Sequence, residues 1–192
     1  MMRALFLLGI PGLVAGTGSA AAQPVTREQA MRAAIHPVGD ARTMQAWLSR
    51  VPVTRTFPDD FAATLKGHGP AFVVEMSTTE GCVACGDLWT KLSALDRQYG
   101  WCVRVISAQE AMIRSGRLGL PWVGHPVAWA RPLADDQRIV PIAIGTDHAP
   151  NLARNIYLAA KMLTGVRPDV GVRAMAKFTG IVGQPVTRSS RH

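Results

Sequence analysis

The chain has little cysteine, no long apolar run beyond its first residues and no repeat. Its three cysteines are Cys82, Cys85 and Cys102. A structural zinc site takes four Cys or His ligands, commonly in two pairs. One CxxC pair, with Cys102 unaccompanied, does not supply them. After the N-terminus no stretch reaches the ~18 uninterrupted apolar residues of a membrane-spanning helix. Internal repeats and low-complexity tracts are missing. A composition of 48% hydrophobic and 18% charged residues excludes collagen, a coiled coil and wholesale disorder. What remains is a globular chain of 192 residues, enough for one domain with a real core.

The opening MMRALFLLGIPGLVAGTGSAAAQP reads as an export signal. Arg3 gives a positive start, residues 4–15 a short apolar core, and Ala20 and Ala22 an A-x-A cleavage site before Gln23. Gly9, Pro11, Gly12 and Gly16 break the run, so it does not comfortably span ~30 Å of hydrocarbon. The expectation is a protein delivered to a bacterial periplasm without stable membrane insertion. Net charge is +8, or +7 once residues 1–22 and Arg3 are removed. Residues 166–192 hold Arg167, Arg173, Lys177, Arg188 and Arg191 against Asp169, a net +4. Without aromatic interleaving this tail reads as a solvated basic end, not as a nucleic-acid surface.

Periodicity orders the rest. Thr26 with Gln29 makes a capping-box start for a helix, and Asp40 starts a second. VPVTRTF (51–57) alternates and is rich in β-branched residues, which predicts a strand. A helix follows over 58–66. The apolar run AFVVEMS predicts a strand over 71–78 buried on both faces, interrupted only by Glu75. From Cys82 the period becomes 3.6: Leu88, Leu92, Leu95 and Tyr99 form one stripe of a helix over 82–99, ended by Gly100. A strand at 101–107, a helix at 108–118, strands at 126–130 and 138–144, and a helix at 149–164 complete the order. The last two strands are joined by a short turn and predict an antiparallel hairpin. The pattern predicts an α/β fold, a mixed central sheet with helices on both faces and a helical N-terminal extension. The division is a signal peptide at 1–22, an extension at 23–50, a domain at 51–165 and a basic tail at 166–192.

GCVACGD places Cys82 and Cys85 where the central strand gives way to a helix. In an oxidising compartment such a pair is more often a disulfide or an exchange site than half of a metal site. If the helix begins near Cys82, that sulfur meets unpaired backbone N–H groups that favour thiolate, so Cys82 attacks substrate disulfides. Cys85, nearly one turn further on the leucine stripe, is the more buried sulfur and resolves the mixed disulfide.

This order over residues 51–165, with CxxC opening the helix after the central strand and Gly124-His125-Pro126 opening the penultimate strand, resembles the thioredoxin superfamily. The resemblance implies that Pro126 is cis and, with His125, borders the cysteine pair as part of a peptide-binding groove. It also implies that Glu75 is a buried acid taking a proton from Cys85; the other reading is an outward-facing Glu without a role. Gly81 before the first cysteine and Val83-Ala84 between the two depart from the family's usual choices. Lacking a His in that dipeptide, the pair suits reductase or isomerase work better than oxidation. Glu80 reads as a solvated loop acid, Cys102 as a buried free thiol, and Trp89, Trp101, Trp122 and Trp129 as core or groove lining.

The function expected is that of an exported thiol-disulfide oxidoreductase. Its partners would be cysteine-containing envelope proteins and an upstream redox protein, with no cofactor and no nucleic acid. One alternative is a copper carrier using Cys82, Cys85 and His125 on the same fold. The other is an inert adaptor in which Cys82–Cys85 is a permanent disulfide.

Overall fold

A computed structural model of the chain describes residues 34–165 and 178–185. The export signal, most of the helix predicted from Thr26 and most of the basic tail lie outside them.

A short strand, β1 (His36–Val38), precedes the first helix, α1 (Ala41–Leu48). Asp40 caps α1: its Oδ1 accepts a hydrogen bond from Thr43 N at 2.8 Å. Helix α2 (Phe61–His68) and one 3-10 turn (Gly69–Ala71) lead into β2 (Phe72–Ser77). All six residues of β2 are buried, as its apolar run requires of a central strand. Helix α3 (Val83–Tyr99) follows, then β3 (Cys102–Ile106), α4 (Ala108–Arg117), β4 (Val127–Pro132), β5 (Val140–Ile144) and α5 (Ala149–Leu163). Strand β6 (Ile181–Gly183) lies in the C-terminal segment.

The main sheet has the order β3-β2-β4-β5. Strand β3 runs parallel to β2, while β4 is antiparallel to both β2 and β5. Alternation along the strands sends Val74, Met76, Ala128 and Ala130 to one face. There they pack with Leu88 and Leu92 of α3, Leu152 and Ile156 of α5, and Phe61 and Leu65 of α2. Val127 and Trp129 face the other way, against Ala111 of α4 and Ile106. Helices therefore cover both faces of a mixed sheet, a thioredoxin-like α/β fold. The leucine stripe is core as its spacing predicts: Leu88, Leu92 and Leu95 are buried. Emptying either Leu88 or Leu92 to Ala costs about 2–5 kcal/mol.

The strand predicted over 51–57 does not form. Its apolar positions Val53 and Phe57 are exposed, and its backbone bonds to a side chain instead of to a sheet. Asn151 of α5 accepts from Thr54 N at 2.7 Å and donates to the Pro52 carbonyl at 2.9 Å. Pro52 has no N–H for a ladder, which suits this course. As a result β3 is an edge strand, and Cys102 at its start is exposed, not a buried thiol as expected.

A second, two-stranded sheet pairs β1 with β6 in parallel. A bridge between Thr146 and Ile181 ties it to the end of β5. Val38, Met44 and Leu48 form a small cluster with Ile181 and Ala84, against which Cys82 and Val83 pack. The segments flanking the main sheet thus meet at the N-terminus of α3.

Candidate redox site

The loop after β2 turns through Gly81, whose φ of +70° disfavours any residue with a Cβ. That explains why glycine stands just before the first cysteine. Cys82 is then the N-cap of α3, in extended conformation, and its Sγ accepts from Cys85 N at 3.1 Å. Cys82 and Cys85 form a disulfide, with Cα atoms 5.2 Å apart. The two sulfurs differ in surroundings as their spacing predicts. Cys85 is 3% exposed within the main core, whereas Cys82 is half-buried at the rim. The donor already aimed at Cys82 Sγ is the kind of group that stabilises a thiolate there after reduction.

The His125–Pro126 peptide is cis, and the His125 carbonyl oxygen lies 3.8 Å from Cys82 Sγ. The His125 carbonyl thus stands beside Cys82, immediately before the cis bond to Pro126. The His125 ring stands edge-on to Trp122, centroids 4.9 Å apart. Burial pushes its pKa below the usual histidine value, which favours the neutral ring. Its Nδ1 is buried without a hydrogen-bond partner among the described residues. A cleft of about 550 Å³ opens here, lined by Trp122, His125, Pro37, Gly183 and Gln184.

Glu75 is fully buried, which the interruption of an apolar strand suggested, but not beneath Cys85. On β2 its neighbours Val74 and Met76 point to the α3 face that holds Cys85, and Glu75 points to the other. There Oε1 accepts from Arg131 Nε and Arg104 Nε, both at 2.9 Å. Oε2 lies 2.7 Å from Arg114 Nη2, close enough for an ion pair though not aligned as a hydrogen bond. The expectation that Glu75 relays a proton to Cys85 is corrected: the sheet separates them. Met76, the next residue, is the one that shares the core cluster of Cys85.

Glu80 is an exposed loop residue, as expected. Trp101 and Trp129 are buried and Trp122 lines the cleft, but Trp89 is 41% exposed on the outer side of α3. Among the described residues no group of three or more His, Cys, Asp or Glu side chains is placed to hold a metal ion.

Sequence reasoning missed Gly183. Its N–H donates to the His125 carbonyl at 2.7 Å, directly beside the disulfide. The signal was the run Gly180-Ile181-Val182-Gly183, a short apolar stretch between glycines inside a tail read for its charge. No helix among the described residues is long and apolar enough to cross a membrane. No protein-family model, no curated protein and no solved structure matches the chain.

Proposed function

We propose that the protein is a thiol-disulfide oxidoreductase of the thioredoxin superfamily, exported to the periplasm. The observation that carries this reading is the asymmetric disulfide: Cys82 half-buried at the N-cap of α3, Cys85 sealed in the core, and the His125 carbonyl 3.8 Å from Cys82 Sγ. In the reducing direction the Cys82 thiolate attacks a substrate disulfide and releases one substrate sulfur as thiolate. Cys85 then attacks Cys82 Sγ, the substrate leaves with both sulfurs reduced, and the Cys82–Cys85 bond re-forms. An upstream redox protein returns the pair to the dithiol. Val83-Ala84 places no His next to Cys82, so reduction or isomerisation is favoured over oxidation. The substrates are envelope proteins with cysteines. A disulfide between these two residues accords with an oxidising compartment.

Cys85→Ser leaves Cys82 without its resolving partner and tests the assignment. Expressed in the periplasm, it should accumulate mixed disulfides through Cys82 that dithiothreitol releases. Adducts joined through Cys102 instead, or none at all, would remove the basis of the proposal.

A further inference from the structure

Strand β6 passes directly against Cys82. A Cβ at position 183 would stand 2.6 Å from Cys82 Sγ and 3.0 Å from Cys82 Cβ, so only glycine passes there. The N–H of Gly183 takes up the same His125 carbonyl that flanks Cys82 Sγ. An incoming chain therefore finds both the sulfur and its neighbouring backbone acceptor already engaged. Strand β6 is held by its parallel pairing with β1 and by the burial of Ile181 and Val182. Outside that ladder it is tied by Gly180 N to Ile144 O at 2.8 Å, Thr146 N to Ile181 O at 3.1 Å, His36 N to Gly180 O at 2.7 Å and Gln184 N to Val38 O at 3.2 Å. Thr179 Oγ1 adds bonds to the Thr146 and Ile144 carbonyls. Its ladder is three residues long, against five or six in the strands of the main sheet, and short ladders are the ones that open locally.

We propose that β6 is a displaceable strap over the redox site, and that a substrate reaches Cys82 by taking the place of Gly183 on the His125 carbonyl. This rests on the exchange reading above. In the reduced state the Cys82 thiolate attacks a substrate disulfide. A substrate–Cys82 bond forms, the substrate's own S–S bond breaks, and its other sulfur leaves as a thiolate that takes a proton from water. Only an extended segment has a free backbone N–H to offer His125 in exchange for that of Gly183; a helical or tightly folded one does not. The strap thereby selects unfolded or loosely structured polypeptide as the substrate class.

Two variants loosen β6 without adding an atom at the sulfur. Gly180→Ala introduces a Cβ 2.2 Å from the Ala34 carbonyl at a residue with φ of +66°. Thr179→Ala removes only the side-chain ties and serves if Gly180→Ala does not fold. Reduction of the Cys82–Cys85 bond by dithiothreitol would be timed by alkylation and mass, alongside hydrogen exchange of the Gly183 amide. The strap predicts that the amide exchanges faster and the pair is reduced roughly fivefold faster, the effect of weakening the closed state by about one net hydrogen bond. Faster amide exchange with an unchanged or slower rate of reduction overturns the strap and leaves the exchange reading standing. A pair that resists reduction in the wild type and in both opened variants overturns the exchange reading, and the strap with it.

Discussion

Two buried carboxylates show what a charge does inside this core. Glu75 sits under three guanidiniums, and those of Arg114 and Arg131 are themselves nearly excluded from water. Removing its charge leaves buried cations without their counter-ion, which costs about 3 kcal/mol or more. Glu75→Gln should therefore lower the denaturant midpoint strongly. Because the sheet lies between Glu75 and Cys85, the pH profile of thiol exchange should keep its shape. A shifted profile in this variant would restore the proton-relay role. Asp147 is the opposite case. Burial pushes its carboxyl above the usual 3.8, although bonds from Asn151 Nδ2 at 2.8 Å and His148 N at 2.6 Å pull it down. The folded state holds this proton more tightly than the unfolded chain does. Its contribution to stability is thus present below the ordinary value and is lost as pH rises through the raised one. Asp147→Asn keeps an acceptor for both bonds. It should melt higher than the wild type at about pH 7, with the gain shrinking towards about pH 4. An equal difference at both pH values would show that Asp147 is not strained by burial.

Elements were legible where their signal is local. The stripe Leu88, Leu92, Leu95 fixes a helix by its own period, and Asp40 announces α1 by a cap three residues from its donor, Thr43 N. The cysteine pair was readable for the same reason: position on a helix start decides which sulfur is exposed. Pro126 was placed by its position in the element order. Segment 51–57 misled because alternation records only what a strand would show, not whether a partner edge accepts it. Here one side chain, Asn151, supplies the bonds that a neighbouring strand would have given. Asn151→Ala should cost about 1–3 kcal/mol through the unpaired groups it leaves. It should also open 51–58 to limited proteolysis ahead of the main sheet; a segment no more sensitive than in the wild type would mean that other contacts hold it. Strands β1 and β6 escaped notice because each is three residues long and each finds its partner far along the chain.

At the scale of the whole molecule, the main sheet provides a rigid floor and the two flanking segments close over one end of it. The floor carries Cys85 in the core and the cis His125–Pro126 step at its rim, and the flanking strands bring Gly183 to Cys82. The contrast between the two sulfurs is thus set by the fold as a whole, and the proposed exchange role rests on it. The most direct test is the reduction potential of the Cys82–Cys85 couple, equilibrated in glutathione buffers. A working dithiol predicts a value between about −270 and −120 mV, in the range of exchange catalysts. A value below about −300 mV would mark a permanent disulfide and contradict the account.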